Sequence, residues 1–392
     1  MDKKRILLNT FKSITKLHNR EAVDYIRHMT YEVTNLCNSK CDMCNIWANT
    51  DNPGQMSIQE IDKAFSDPVF SKMESIIITG GEVFVRDDVN EIARALHKNC
   101  PDALLCFSTN GLIVEKVIDT LAYCIKSKIN CTLGISLDGI GIDHDKRRRM
   151  PGNYNSVIEI IEKAKVLKNQ PGGDYLKSIG IGHCLDEYGL KTLNDVKKKA
   201  DELGVGFLTQ VVEDFDHYLP QKKRFASAND LDAAMKGKKF GISGVNRITK
   251  KEFDKNKENK EDLRNKYIAA LSSLPKSVHL EKVMNVMKGD EASYDCAALW
   301  KFVFVRYNGD VTPCLRFADI PFGNLKVNSM SEIVSTLDYK NGIKSVQKCD
   351  GCLNTWCTHW SAEMNALPFA KEIFSRYTSL KKSKSPNPET AI

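Results

Sequence analysis

The residues with the clearest chemistry in this chain are Cys37, Cys41 and Cys44, which have the spacing C-x3-C-x2-C. Three thiolates in so short a stretch can bind one face of a metal site. A closed tetrahedral zinc site needs a fourth ligand nearby, and the sequence has none adjacent to the motif. On a four-iron cubane, three thiolates instead leave one iron open to bind another molecule. The motif therefore favours a [4Fe-4S] cluster with an open iron, and zinc is the alternative.

A second group of cysteines lies toward the C-terminus and begins with the spacing C-x12-G-x4-C, which passes through Gly309. Its members are Cys296, Cys314, Cys349, Cys352 and Cys357. Four thiolates are enough for one more four-iron cluster. We expect the first four of these cysteines to be its ligands, with Cys357 as a substitute for Cys352. A zinc ribbon would satisfy the same four-cysteine spacing and stays open as the alternative.

Composition restricts where these thiols act. The chain has 57 Lys and Arg against 50 Asp and Glu, a net charge of +7, and its basic runs are interleaved with acids. This pattern is typical of solvated helix faces and not of a nucleic-acid site. No apolar run approaches the roughly 18 residues that cross a bilayer, and Ile6-Leu7-Leu8 is too short for a signal-peptide core. We therefore expect a cytoplasmic protein with reduced thiols, no membrane anchor and no nucleic-acid partner.

Alternating strand and helix patterns begin just before the first cysteine motif. Six strands are predicted, at 30–34, 75–79, 104–108, 132–137, 178–184 and 207–212. Helices are predicted after a capping box at Ser57 and at 89–97, 114–126, 157–164 and 193–203. Such alternation implies a parallel sheet with right-handed crossovers, and six units are too few for an eight-stranded barrel. Functional groups should then gather at the carboxyl ends of the strands.

Changes in composition predict how the chain is divided. A Lys/Glu-rich stretch poor in strand signals follows the sixth strand, and a β-hairpin with its turn at Asn308-Gly309-Asp310 follows later. The tail from Lys381 is predicted to be disordered. We expect five segments: a lead-in at 1–29, the main domain at 30–217, a helical linker or insertion at 218–290, a cysteine-rich domain at 291–365, and a C-terminal helix with a disordered tail at 366–392.

The first cysteine motif resembles the signature of the radical S-adenosylmethionine (SAM) superfamily, with Met43 where that family usually has an aromatic residue. Further motifs of the family follow in its order, each after a predicted strand. They are Gly80-Gly81-Glu82, Ser108-Thr109-Asn110-Gly111, Ser136-Leu137-Asp138-Gly139 and His144-Asp145-Lys146-Arg147-Arg148. The second cysteine group resembles the C-terminal SPASM or Twitch extension of these enzymes. It has fewer cysteines than a full SPASM domain, which predicts one auxiliary [4Fe-4S] cluster.

The resemblance implies a fold and a set of SAM contacts. The fold class would be α/β, a partial (β/α)6 barrel with a small cysteine-rich α+β domain. Gly80, Gly81 and Glu82 would hold the SAM amino group, with the two glycines allowing the backbone to approach the ligand closely. The ribose and carboxylate of SAM would be contacted by Ser108, Asn110, Ser136, Asp138 and Arg148. Arg147 and Arg149 flank Arg148, and the sequence leaves open which of the three serves.

The resemblance also implies an activity, reductive cleavage of SAM to a 5′-deoxyadenosyl radical that removes a hydrogen atom from an unactivated carbon. We expect a small, sugar- or cyclitol-like substrate, a flavodoxin- or ferredoxin-type electron donor, and an auxiliary cluster that accepts an electron or binds substrate. A maturase of a ribosomally made peptide is the alternative, and a non-enzymatic zinc or Fe-S binding module is a second. The candidate catalytic residues lie at the end of the fifth strand or after the fifth and sixth strands: His183, Cys184, Asp186, Tyr188, Glu213 and His217.

Overall fold

A computed structural model describes residues 23–49, 52–212 and 296–347 of the chain. Strands and helices alternate through the first two of these ranges. The elements are β1 (His28–Thr34), α1 (Ile58–Phe65), β2 (Ser75–Gly80), α2 (Val89–Asn99), β3 (Leu104–Thr109), α3 (Val114–Lys126), β4 (Cys131–Ser136), α4 (Ile142–Arg148), α5 (Asn153–Lys168), β5 (Leu176–Leu185), α6 (Glu187–Leu203) and β6 (Gly206–Val211). The third range adds β7 (Phe302–Val305), β8 (Asp310–Thr312), β9 (Gly323–Asn324), α7 (Met330–Ser335) and α8 (Leu337–Val346).

All of the described strands form one sheet, in the order β6-β5-β4-β3-β2-β1-β7-β8-β9. Strands β1 to β6 pair in parallel with their sequence neighbours, so the predicted α/β fold is confirmed. The C-terminal hairpin continues this sheet, because β7 pairs in parallel with β1 and β8 returns antiparallel to β7. Gly309 has φ of +89° in the turn between them, a conformation that favours glycine.

Local sequence signals explain where several helices begin. Ser57 and Glu60 form the predicted capping box at the start of α1, where each side chain accepts a hydrogen bond from the backbone of the other. The prediction was wrong for α6, which begins six residues earlier than expected. Asp186 caps this helix by accepting a hydrogen bond of 2.9 Å from the backbone N–H of Gly189. The segment His144–Arg148, expected only as a motif, lies within the short helix α4.

The two faces of the sheet have different surroundings. Leu105 and Phe107 of β3 are buried in the hydrophobic core together with residues of the surrounding helices. Cys106 and Ser108 alternate with them and line an internal cavity. Successive side chains of a strand point to opposite faces, so Cys106 and Ser108 lie on the cavity side, and Phe107 of the core also borders the cavity. None of the described helices is both long and apolar enough to span a membrane.

Candidate active site

The first cysteine motif lies in the loop after β1, and its side chains surround one cavity. Cys37, Cys41 and Cys44 all line a cavity of about 240 Å³ at the carboxyl ends of the strands. In the described part of the chain, no three His, Cys, Asp or Glu side chains come close enough together to hold a single metal ion. A four-iron cluster binds each thiolate at a different iron, so its ligands need not meet at one point. The three cysteines therefore fit a cluster with one open iron.

The cysteine loop is fastened to the C-terminal end of α4. The backbone N–H of Asp42 donates to the carbonyl of Arg147 at 3.1 Å. The Ser39 hydroxyl lies 3.0 Å from the carbonyl of Arg148 and 3.1 Å from Cys41 Sγ. Sequence reasoning missed Ser39, because a serine between two cysteines gives no signal of a partner more than a hundred positions away.

Burial strongly raises the pKa of two of the three cysteine thiols in this motif. Burial raises the pKa of the Cys37 thiol to about 12 and that of the Cys44 thiol to about 11. Both thiols therefore stay protonated near neutral pH until a metal displaces the protons. Cluster assembly at this loop must release protons, as it does wherever thiolates are the ligands.

The Gly80-Gly81-Glu82 segment is hydrogen-bonded to the cysteine loop. The backbone N–H groups of Gly81 and Glu82 donate to the carbonyls of Thr34 and Leu36, both at 2.8 Å. A Cβ on Gly81 would lie 2.0 Å from the Leu36 oxygen. The predicted reason for these glycines was close approach to a ligand. That reason stays a prediction, and the structure adds a second one, because a side chain here would meet the backbone of the loop.

Glu82 is a buried carboxylate at the wall of this cavity, with 2% of its surface exposed. It accepts hydrogen bonds from the Thr109 hydroxyl and from the backbone N–H of Asn110, both at 2.7 Å. Burial raises its pKa to about 7, although these donors favour the ionised form. A carboxylate can accept about four hydrogen bonds, so Glu82 retains capacity for a donor from the cavity.

Three other predicted SAM contacts line the same cavity: Ser108, Asn110 and Ser136. The Asn110 amide donates to Asn38 at 2.8 Å and accepts from the backbone of Leu112 at 3.0 Å. These bonds orient its side chain beside the cysteine loop. The polar groups that were predicted to gather at the strand ends therefore line one cavity.

Asp138 and Arg148 have partners that the sequence did not suggest. Arg148 Nη2 lies 2.6 Å from Asp138 Oδ2, and the other Asp138 oxygen accepts from the backbone N–H of Cys184 at 2.8 Å. Burial would raise the pKa of Asp138, but the Arg148 guanidinium holds it below its usual range. Asp138 is fully buried and does not line the cavity. The carboxylate that Arg148 pairs with is therefore Asp138, whereas we had expected these two residues to contact different parts of SAM.

The flanking arginines have other partners as well. Arg147 pairs with Asp186, and Arg149 pairs with Asp42. Arg148 is the only one of these three arginines that lines the cavity. The position of Arg148 favours it over its two neighbours as the residue that contacts a ligand of this cavity, and that role stays a prediction.

A second cavity, of about 510 Å³, lies inside the partial barrel and shares walls with the first. Ser108, Ser136 and Cys184 line both cavities. The larger one is bounded mainly by apolar side chains and by glycines, among them Ile77, Phe302, Phe304, Leu315, Gly134 and Gly180. A molecule bound there would lie beside a ligand of the smaller cavity.

The candidate catalytic residues have different surroundings. Cys184 lines both cavities. The ring of His183 lies within 3.4 Å of the Thr209 hydroxyl and 3.2 Å of the Thr192 hydroxyl, and burial lowers its pKa. Asp186 pairs with Arg147, and the Tyr188 hydroxyl donates to the carbonyl of Asp143 at 2.7 Å. Glu213 and His217 lie outside the described residues.

The second cysteine group is described in part. Cys296 precedes β7, and Cys314 follows β8 after one intervening residue, Pro313. Leu315, next to Cys314, lines the larger cavity. Cys349, Cys352 and Cys357 lie outside the described residues, so the ligand set stays a prediction.

Comparison with known proteins gives two family matches. Residues 31–171 match the model of the Radical SAM superfamily, and residues 296–357 match that of SPASM, an iron–sulfur cluster-binding domain. Such domains bind SAM with a [4Fe-4S] cluster and auxiliary Fe-S clusters, respectively.

Two curated relatives match over somewhat less than half of the chain. The antilisterial bacteriocin subtilosin biosynthesis protein AlbA of Bacillus subtilis is 29% identical over 191 residues, 48% of this chain and 40% of AlbA. The pre-heme d1 synthase of Dinoroseobacter shibae is 28% identical over 179 residues, 45% of this chain and 40% of that protein. The chain thus spans about 40% of the length of these two relatives.

Solved structures share the fold over most of the chain. Streptococcus suis SuiB bound to its precursor peptide SuiA superposes with a TM-score of 0.54 at 15% identity, covering 90% of this chain and 77% of SuiB. The protein anSMEcpe with bound AdoMet and the Cp18Cys peptide gives 0.51 at 15% identity, covering 91% of this chain and 99% of that one.

Proposed function

Because this chain belongs to the radical SAM superfamily and carries a C-terminal SPASM domain, we propose that it modifies a peptide by radical chemistry. When bound, the reduced cluster and SAM supply a 5′-deoxyadenosyl radical, which removes a hydrogen atom from a C–H bond of the substrate. The protein supplies binding, orientation and exclusion of water.

One observation carries this proposal. The three cysteines, Glu82 and Asn110 line a single cavity that shares lining residues with a larger one. The first cavity would hold SAM against the open iron, and the second would hold the substrate beside it. Hydrogen-atom transfer requires the two reacting atoms to lie in near contact. Two adjacent cavities would hold SAM and the substrate close enough for this.

The residues of the smaller cavity have distinct roles in this proposal. Glu82 accepts a hydrogen bond from the amino group of SAM, and the Thr109 and Asn110 donors hold its carboxylate in place. Ser108 and Ser136 supply hydroxyl groups at the boundary with the larger cavity. Arg148 lies on the cluster side of this cavity, beside Cys41.

The wall of the larger cavity suits a peptide. Apolar side chains and glycines make up most of it, while Thr30, Glu32, Thr132, Ser178 and Gln210 supply hydrogen-bonding groups. A peptide uses both kinds of contact, because it presents apolar side chains and a polar backbone. A Cβ on Gly134 or Gly180 would approach no atom closer than 3.6 Å, so packing does not require glycine there. A side chain at either position would instead reduce the volume of the cavity.

Similarity to other proteins supports the same choice. AlbA takes part in the biosynthesis of a bacteriocin, and the structures of SuiB and anSMEcpe contain bound peptides. These likenesses favour the peptide alternative over the sugar- or cyclitol-like substrate that we first expected. An external flavodoxin- or ferredoxin-type donor and an auxiliary-cluster role in the second electron transfer remain parts of the proposal.

The test is deuterium transfer in the anaerobically reconstituted full-length protein with SAM and dithionite. Candidate precursor peptides, encoded by short reading frames beside the gene, are supplied with deuterated residues. We expect deuterium in 5′-deoxyadenosine and a peptide product of changed mass. Cys41→Ala should abolish 5′-deoxyadenosine, while Cys124→Ala, in the core away from both cavities, should retain it.

Two results would contradict the proposal. Absence of 5′-deoxyadenosine from the cluster-loaded wild-type protein would exclude radical SAM chemistry. Deuterium transfer from a sugar or cyclitol, with none from any peptide, would restore the small polar substrate.

A further inference from the structure

Arg148 lies between a buried carboxylate and a cluster cysteine. It is the last residue of α4, and 8% of its side chain is exposed. Arg148 Nη2 lies 2.6 Å from Asp138 Oδ2, while Nη1 donates toward Cys41 Sγ at 3.6 Å. One guanidinium therefore contacts both a fixed anion and the sulfur that would bind iron.

The surrounding contacts hold this guanidinium in place. Asp138 is anchored by the backbone N–H of Cys184 at 2.8 Å. The carbonyl of Arg148 lies 3.0 Å from the Ser39 hydroxyl, which itself contacts Cys41 Sγ. The Arg148 side chain and the Ser39 hydroxyl thus both contact Cys41. Both contacts converge on one sulfur of the three-cysteine motif.

The physical effect of such a donor has a definite sign. Reduction adds one negative charge to an iron–sulfur cluster, and part of that charge resides on the thiolate sulfurs. An N–H group directed at a sulfur stabilises the reduced state more than the oxidised state, most strongly where water is excluded. Hydrogen bonds to cluster sulfurs are among the features that set reduction potentials.

We propose that Arg148, fixed by Asp138, is a positioning residue that raises the reduction potential of the Cys37/Cys41/Cys44 cluster. The role rests on the proposed function, since it requires a cluster at these cysteines. It differs from the contact to the SAM carboxylate that the family resemblance implies, and from a purely structural ion pair. Those two roles are measured as SAM affinity and as stability, whereas this one is measured as the potential of the cluster before SAM is added.

The pair allows a test in which the net charge stays constant. The double variant Arg148→Met/Asp138→Asn removes both charges together with the guanidinium donor, since methionine carries no N–H group. Its net charge equals that of the wild type, so a lower potential would report the lost N–H group. We expect a loss of about tenfold in the reduction equilibrium, ~59 mV for one electron.

The measurement is an anaerobic redox titration of the full-length protein without SAM, followed by electron paramagnetic resonance. The first cluster is identified in a parallel sample by the signal that changes when SAM is added. Arg149→Gln is the matched control, because it removes an arginine one position along whose side chain is 57% exposed and pairs with Asp42. Its potential should stay at the wild-type value. Arg148→Lys, with the charge but without the planar fork, should fall between the wild type and the double variant.

The outcomes separate the inference from the function. A wild-type protein with no SAM-sensitive signal contradicts the proposed function itself. A SAM-sensitive cluster whose potential is equal in the wild type, the double variant and Arg148→Lys contradicts only the role of Arg148. If the double variant fails to assemble its cluster, Arg148→Lys still decides, because its potential should lie below that of both the wild type and Arg149→Gln.

Discussion

Glu82 accepts a hydrogen bond of 2.7 Å from the backbone N–H of Asn110. This bond joins the segment after β2 to the end of β3, across a cavity wall that also contains the cysteine loop. Because Glu82 is buried and its own N–H donates to Leu36 at 2.8 Å, its carboxylate has a fixed position relative to the cluster ligands. The first two predictions follow from this placement.

Glu82→Gln should weaken SAM binding while the first cluster still assembles. The amide keeps the size of the side chain and one acceptor oxygen, but it loses the charge-assisted bond to the SAM amino group. Such a bond contributes about 1.5–3 kcal/mol, roughly ten- to a hundredfold in affinity. Anaerobic SAM titration with iron analysis measures both effects. Asp87→Asn, an exposed acid nearby, should bind as the wild type, and unchanged affinity in Glu82→Gln would refute the assignment.

SAM affinity should rise with pH through neutrality. The pKa of Glu82 is raised to about 7, mainly by burial. Below this pKa, Glu82 is protonated in the folded protein without SAM. Above it, the carboxyl is ionised and is the better acceptor for the SAM amino group. Affinity should therefore increase severalfold from about pH 6 to about pH 7.5. The same titration in Glu82→Gln should lose most of this slope, and an equal slope would assign the pH dependence to another group.

Gly81→Ala should impair assembly of the first cluster. A Cβ there would lie 2.0 Å from the Leu36 carbonyl oxygen and 3.0 Å from the Cys37 nitrogen. Because both atoms are backbone, the cysteine loop must move to relieve the contact. Gly204→Ala is the control: Gly204 has a φ of +67° but open space around it, so its cost of about 1–2 kcal/mol is conformational. Iron content should fall in Gly81→Ala and not in Gly204→Ala, and normal iron loading in both would show that the loop tolerates the shift.

The chemistry of the site was predictable where it depends on short spacings. The three cysteines and the polar residues after β2, β3 and β4 follow local patterns, and parallel strands bring their carboxyl ends to one edge. The pairing of Arg148 with Asp138 was not predictable in this way. Three consecutive arginines look alike in sequence, and only the tertiary structure shows that they pair with three different aspartates.

The position of the C-terminal hairpin in the sheet could not be predicted from the sequence either. The hairpin at Asn308-Gly309-Asp310 was predicted from its turn residues. Its pairing with β1, more than 270 positions away in sequence, depends on which strand edge is left open after β1 to β6 assemble. Local patterns specify that a strand forms, but its neighbour is chosen by tertiary packing. This pairing places Phe302 and Phe304 in the wall of the larger cavity.

Gly134→Val should separate SAM cleavage from substrate turnover. Valine suits the strand β4, and no atom lies within 3.6 Å of the Cβ position, so the fold should tolerate it. Its side chain would occupy the larger cavity, which Gly134 lines, and not the smaller one. We expect 5′-deoxyadenosine to form without product. Thr132→Val, on the same face of β4 and nearly equal in size, should keep turnover, whereas normal turnover in Gly134→Val would place the substrate elsewhere.

Loss of the second cysteine group should leave radical generation intact but block product. Cys296 and Cys314 flank the β7–β8 hairpin, and Leu315, next to Cys314, lines the larger cavity. A cluster bound there would lie near the substrate, in position to accept its electron. The double variant Cys296→Ala/Cys314→Ala should therefore drop from about eight irons to about four. It should keep the SAM-sensitive signal and form 5′-deoxyadenosine uncoupled from product.

Because clusters can stabilise small domains, the thermal midpoint of the variant must be measured beside the wild type. Normal product formation without the second cluster would show that it is dispensable for turnover, and four irons with stoichiometric zinc in the wild type would favour the zinc ribbon.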